Sequence, residues 1–278
     1  MGGSIAIHGS SLDGWANCAR QQMASSYPHL LKQHGYTVKE LRRWVTPLAG
    51  TAIHEAAHTL NVDFMKTKLV ATEELILHAV NEGMSKFKSL LLKDLENGHD
   101  TKYTIKFPDM LSIRAHVEAY TRLYAIQILP QRNLEISEQH FNIPINDEFH
   151  FKSTLDSFGG GVLYDLKTGA VKTPAYHQLG IYVYLLKTLG FQVDSAQLDY
   201  IQRPKEFEPP VHRVIKYNAT ECEQMAKYMT IKVMKDIKEF IQSGDINVLT
   251  ANPRASSCNM IMCPLFGIEG SCGGWKDK

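Results

Sequence analysis

A change of hydrophobic period near residue 130 constrains the fold of this chain most. Upstream, apolar residues recur at three- and four-residue spacing over 38–60 and 69–97 (Leu69, Leu75, Ile76, Ala79, Val80, Phe87, Leu90 and Leu91). A further helix is expected over about 109–128, before Pro130, and Ser11 is placed to cap a short one carrying Leu12, Trp15, Ala16 and Cys18. Downstream, residues 133–145 alternate (Leu134, Ile136, then Phe141, Ile143, Ile145), the mark of a half-buried strand. Segments 150–155 and 162–167 read as two more strands, with Ser157-Phe158-Gly159-Gly160-Gly161 as the turn of a hairpin. Helical spacing returns over 174–190. Strands follow at 192–203 and 211–217, then an amphipathic helix over 219–243 with Gly244 behind it. That order predicts an α/β fold, a central mixed sheet flanked by helices, with a helical insertion over about 60–128.

The 278 residues suit one large domain or two small ones, and the expectation is a single domain over 1–278. With 44% apolar and 21% charged residues, disorder and a coiled-coil rod are excluded as the main architecture. Thirty basic against twenty-nine acidic residues leave a net charge of +1, so a histone-like polycation is excluded too. A narrow basic groove is not. The first eleven residues lack a basic stretch followed by a long apolar one, and no apolar run approaches the ~18 residues that span a bilayer. A cytoplasmic protein with no membrane partner is expected.

Asp165 and Lys167 lie two apart on an expected strand and so share a face, and Asp156 can reach it across the hairpin. Asp-x-Lys alone says little, since it occurs three times, at Asp100, Asp165 and Asp236. Only the Asp165 copy follows an apolar run and a carboxylate on a partner strand. Two carboxylates beside an ammonium are costly in a sheet unless they are paired or hold an ion. Converging carboxylates suit Mg²⁺ or Mn²⁺, and a lysine there can orient water or offset phosphate charge. Gln178 and Tyr182, four apart, lie on one face of the following helix. The plain alternative is a surface salt bridge under an amphipathic helix.

Asp156, then Asp165-Leu166-Lys167-Thr168-Gly169, then Gln178-x-x-x-Tyr182 resembles the RecB-like branch of the PD-(D/E)XK nucleases, a restriction-endonuclease-like fold. Gly50-Thr51-Ala52-Ile53-His54 resembles the upstream Gly-x-x-x-His of that branch. The resemblance implies that His54, Asp156, Asp165 and the Leu166 carbonyl hold Mg²⁺ or Mn²⁺. It implies that Lys167 is the catalytic lysine, and that Gln178 and Tyr182 support the site and contact DNA. The expected function is a DNA exonuclease acting on single strands or ends, in recombination, repair, CRISPR adaptation or phage DNA processing, with a protein partner possible there. Glu138, on the strand before the hairpin, takes no firm role.

Of five cysteines, Cys258, Cys263 and Cys272 crowd the tail (252–278), while Cys18 and Cys222 stand alone. Such clustering suits metal ligation better than disulfides. The segment Ser10–Arg20 around Cys18 and the three tail cysteines resemble the iron–sulfur members of the family, the CRISPR-associated and AddB-type nucleases. This implies a 4Fe–4S cluster on Cys18, Cys258, Cys263 and Cys272, joining the chain ends. The family's tail spacing is Cys-x-x-Cys-x5-Cys, whereas here four and eight residues intervene. Ala19 also stands where family members often carry Pro, so a four-thiolate Zn²⁺ site is the alternative. Cys222 reads as a small buried residue.

A rival motif overlaps the histidine. His54-Glu55-Ala56-Ala57-His58 matches the His-Glu-x-x-His of zinc peptidases, with Glu55 as base and a third ligand needed from Glu73, Glu74 or Glu82. It leaves Asp156, Asp165, Lys167, Gln178 and the cysteines without a role. A catalytically inactive nucleic-acid-binding module on the same fold is the remaining alternative.

Overall fold

The computed structural model describes residues 4–169, 175–202, 209–255 and 257–272. The described elements run β1 (Ile5–Ile7), α1 (Leu12–Asn17), α2 (Ala19–Ser26), α3 (Pro28–Gln33), α4 (Val45–Thr67), α5 (Glu73–Glu96) and α6 (Met110–Leu123). They continue β2 (Ile136–Pro144), β3 (Phe149–Gly159), β4 (Val162–Gly169), α7 (Tyr176–Thr188), β5 (Ser195–Gln202), β6 (Val211–Asn218) and α8 (Ala219–Ser243). Of the expected elements, residues 174, 203, 256 and 273–278 lie outside the described residues.

The six strands form one mixed sheet in the order β1-β3-β4-β5-β6, with β2 on the other edge of β3. β1 runs parallel to β3 and β4 parallel to β5, while β2–β3, β3–β4 and β5–β6 are antiparallel. One apolar cluster joins α1–α3, α7 and α8 to the sheet through Phe151, Leu155, Phe158, Leu163 and Leu198. A second joins α4, α5 and α6 to the opposite face through Tyr164, Leu166 and Ile201. Among the described residues no helix is long and apolar enough to cross a membrane.

Several boundaries depart from the sequence reading. The helix expected over 38–60 is α4, which starts at Val45 and runs to Thr67. Pro47 explains the shift: proline is tolerated in the first turn of a helix but breaks an interior. Ser11 does precede α1, yet its side chain caps nothing and donates to the His8 carbonyl instead, at 2.7 Å. The helix expected to reach 128 ends at Leu123 and widens into a π turn over Tyr124–Ile128. The hairpin turn is only Gly160-Gly161, because both take positive φ (55° and 76°) and close a two-residue connection, leaving Ser157–Gly159 in β3. The short strand β1 has no counterpart in the sequence reading.

Two helix pairs pack closer than side chains normally allow. A Cβ at Gly83 of α5 would overlap the Ala52 carbonyl of α4, and one at Gly180 of α7 would overlap the Cys222 carbonyl of α8. Arg132, 6% exposed, pairs with Asp199, donates to Tyr124 Oη at 2.7 Å and to Ser157 Oγ at 3.1 Å, and lies over the Tyr164 ring. His212 Nε2 approaches the other Asp199 oxygen at 2.7 Å. This buried network ties β3, β5 and β6 to the end of the α6 segment.

Candidate active site

The site forms where β3 loses its neighbour along one edge. β1 pairs with Phe149–Phe151 and β4 with Ser157–Gly159, so residues 152–156 face a gap between them. Side chains bridge it. Ser153 Oγ accepts from Gly9 N–H at 3.1 Å, and Asp156 Oδ2 accepts from Leu166 N–H at 2.7 Å.

At the same level the pleat slips on two strands. Leu155 and Phe158, three apart, both pack in the α7–α8 cluster, which strict alternation forbids. On β2, Glu138 breaks the β2–β3 ladder opposite Asp156 and takes a left-handed φ of 52°. The slip turns Asp156 toward α4, whose His54 Nδ1 lies 3.3 Å from Asp156 Oδ1. His54, Glu138 and Asp156 each offer a ligand atom, all within 4.8 Å of one another. Glu138 is the residue that sequence reasoning left unassigned. Its signal was present: the apolar positions of β2 change parity between Ile136 and Phe141, around it.

Asp165 and Lys167 point toward α7. Asp165 is fully buried, and Lys167 Nζ sits 3.2 Å from its Oδ1, 3.0 Å from its Oδ2 and 2.9 Å from Gln178 Oε1. Gln178 Nε2 bridges Asp165 Oδ1 (3.1 Å) and Tyr182 Oη (2.9 Å). Asp165 Oδ2 therefore has an ion-pair neighbour but no well-formed hydrogen bond, a buried oxygen suited to a cation. No group of three among the described residues that includes Asp165 meets the 4.8 Å spacing. The expected residues thus share one locality but divide into an α4 side and an α7 side. Asp13 of α1 holds the start of α7 by accepting from His177 N–H and Gln178 N–H, both at 3.4 Å.

Burial alone would depress the His54 imidazole, but Asp156, and more weakly Asp165, outweigh it and raise its pKa. Burial opposes ionisation of Asp156, yet His54 and Lys167 hold its pKa below the usual range. Burial pushes Asp165 up to about 6, partly countered by Lys167. Burial, with Asp156 nearby, pushes Glu138 up to about 7. Lys167 is raised despite burial because Asp165 and Asp156 face it, so it stays an ammonium. The open cleft above these groups has a volume near 560 Å³, and His8, Ser10, Thr51, His140, Lys152 and Thr154 form its rim.

The His-Glu-x-x-His residues do not assemble. Glu55 turns to Lys86 on α5 at 3.5 Å, and His58 Nδ1 meets Ser137 Oγ at 2.9 Å. No ligand group among the described residues contains both His54 and His58.

All five cysteines are free. Burial raises the Cys263 and Cys272 thiols; other thiols of the set, Cys18 and Cys258 among them, add to this, while Arg20 partly counters it at Cys272. Asn252 N–H points at Cys18 Sγ at 3.5 Å. No three of these sulfurs lie within 4.8 Å of one another, wider than a closed zinc site, so among the described residues they do not form a ligand set. Cys222 lies apart, buried in α8.

No protein-family model matches the chain, and no curated protein matches it either. The fold is similar to a crystal structure described as "Putative exonuclease" from Eubacterium rectale, with a TM-score of 0.51 and 12% identity over 91% of this chain and 86% of that one. A second structure, described as SSO0001, overlaps 73% of this chain and 84% of its own at 15% identity, with a TM-score of 0.25, too loose to bear on the fold. The chain therefore has a nuclease-like α/β fold, a six-stranded mixed sheet flanked by helices.

Proposed function

We propose that the chain is a metal-dependent DNA nuclease of the RecB-like PD-(D/E)XK type, acting on single strands or ends. The observation that carries this reading is the meeting of Asp156, Asp165, Lys167 and Gln178 beside His54 at the open edge of β3. The fold neighbour's description as an exonuclease supports it.

The donor set suits one or two hard divalent ions that share Asp156, with His54 as a holder on the α4 side and Asp165 and the Leu166 carbonyl as holders on the α7 side. When bound, Mg²⁺ or Mn²⁺ supplies Lewis-acid polarisation of the phosphate and lowers the pKa of water. The chain's own residues do the rest. Lys167, kept protonated by its two carboxylates, offsets charge developing on the phosphate oxygens. As an ammonium it is not a proton acceptor. Gln178 fixes the lysine and Asp165 together, and Tyr182 fixes Gln178. Lys152, His8 and His140 on the rim offer cations and donors to a phosphate backbone, a narrow track compatible with near-zero net charge.

The iron–sulfur part of the reading, a 4Fe–4S cluster on Cys18, Cys258, Cys263 and Cys272 with Zn²⁺ as the alternative occupant, rests on the sequence resemblance, because among the described residues these sulfurs stand too far apart to form a ligand set. A dedicated place in recombination, repair or CRISPR adaptation, with a protein partner there, belongs to the same proposal.

The test is release of nucleotides from end-labelled single-stranded DNA with Mg²⁺ or Mn²⁺. Wild type should degrade it, and Asp165→Asn and Lys167→Ala should each fall by about 10²-fold or more while keeping the native circular dichroism. Wild-type rates in either variant would remove the site from the reaction.

A further inference from the structure

We propose that Glu138 is a metal ligand, completing with His54 and Asp156 a divalent-cation position on the α4 side of the cleft, apart from Asp165. This deepens the nuclease reading, because it places an ion in the same cleft through a residue outside the recognised motif.

Three elements bring the donors together: α4 supplies an imidazole nitrogen, β2 and β3 one carboxylate each, all within 4.8 Å. The carboxylate of Glu138 makes no hydrogen bond or ion pair among the described residues. Its charged neighbours are Asp156 and Glu55, which repel it, and His54 and Lys86. A third carboxylate held beside Asp156 without a partner is unfavourable unless a cation sits between them. Asp156 is shaped for sharing, with Oδ1 toward His54 and Oδ2 fixed on Leu166 N–H. On its far side, Asp165 already has Lys167 and Gln178.

The backbone points the same way. Glycine or asparagine would hold a φ of 52° with less strain, yet a glutamate occupies it. The left-handed residue and the matching slip at Asp156 face each other, and together they send both carboxylates toward His54. One nitrogen with two carboxylates suits Mn²⁺, which accepts imidazole as well as oxygen, better than Mg²⁺, which favours oxygen and keeps its water.

The experiment is a Mn²⁺ titration of the full chain without DNA, followed by the paramagnetic resonance of free Mn²⁺ and by the melting temperature. The chains are wild type, Glu138→Gly and Glu138→Gln. Glycine relaxes the left-handed backbone, and glutamine keeps the size but not the charge. Both variants should keep the native circular dichroism, weaken Mn²⁺ binding by about tenfold or more, and lose most of the Mn²⁺-induced rise in melting temperature. A Glu138→Gly chain that binds Mn²⁺ within about twofold of wild type overturns the assignment, as does a wild type that binds no Mn²⁺. The two readings fail separately. Mn²⁺ binding through Glu138 in a protein that cleaves no DNA sinks the nuclease reading and keeps the site. Unchanged Mn²⁺ affinity in Glu138→Gly, in a protein that cleaves DNA, does the reverse.

Discussion

Asp156 and Asp165 stand opposite each other one step past the last paired residues of the β3–β4 hairpin, Ser157 and Tyr164, and Asp156 reaches across to take the Leu166 N–H at 2.7 Å. A side chain thus replaces a ladder bond where the two strands part. The arrangement keeps the two carboxylates from collapsing onto one another while holding both beside Lys167.

The overlapping His-Glu-x-x-His motif gives the first prediction. His54→Ala should lower Mn²⁺-dependent DNA cleavage by about 10–100-fold. Glu55→Gln should stay within about threefold, because Glu55 faces Lys86 on α5 and its loss costs only a half-exposed ion pair. His58→Ala should also change little. Proteolysis of a generic protein substrate with Zn²⁺, abolished by Glu55→Gln, would overturn the nuclease assignment.

Glu138 gives a pH signature in the metal-free protein. Its folded-state pKa, about 7, lies above the ordinary 4.5. Between those values the folded chain keeps a proton that the unfolded chain releases, so this group makes stability fall as pH rises from about 4.5 to 7, then level off. Glu138→Gln should flatten that stretch and raise stability at pH 8 by about 1–2 kcal/mol after solvent screening. Urea melts of both chains across that range, with chelator present, would show it. Parallel curves would mean Glu138 titrates normally.

The cysteines should behave as a group of four and a bystander. Serine at Cys18, Cys258, Cys263 or Cys272 should lower iron content and melting temperature together, because metal binding adds to folding free energy. Cys222→Ser should leave iron unchanged. Metal analysis and visible absorbance of freshly purified protein decide it. Iron retained in the Cys18 variant and lost in the Cys222 variant would dismiss the assignment.

Arg132 is the stability test far from the chemistry. Arg132→Ala should cost about 3–5 kcal/mol in urea unfolding, since it strips a fully buried Asp199 of its guanidinium partner. A loss under about 1 kcal/mol would show that His212 and Gln197 suffice for Asp199.

Periodicity made the strands and the long helices legible, because a face buried on one side leaves a repeat in the apolar positions. α8 follows that rule closely, whereas β4 is buried on both faces, with Leu163 in one apolar cluster and Tyr164 and Leu166 in the other. β1 was hidden because three residues carry no period. The α4 start was misplaced because apolar spacing continues across Trp44, while Pro47 fixes where a helix can begin. The strand period put Asp165 and Lys167 on one face and the helix period did the same for Gln178 and Tyr182, while the order of strand and helix, with the family resemblance, brought the two pairs together. Glu138 was not readable in this way, since its place depends on a pleat slip in two strands at once. The parity change around it was visible, but parity in one strand does not say which partner shares the fault.

The glycine contacts bear on how this sequence can diverge. The two helices that carry site residues from opposite faces of the sheet are each braced from behind at backbone distance, α4 at Ala52 by Gly83 and α7 through Gly180 against Cys222. Neither helix can back away from the sheet without losing that brace, nor accept even a methyl group at the glycine without being pushed toward the cleft. Gly180 lies between Gln178 and Tyr182, so a substitution there would reach Lys167 as a displacement rather than as a lost contact. Divergence should therefore be tolerated on the solvent faces of α5 and α8 and penalised at Gly83 and Gly180, two positions that touch nothing chemical.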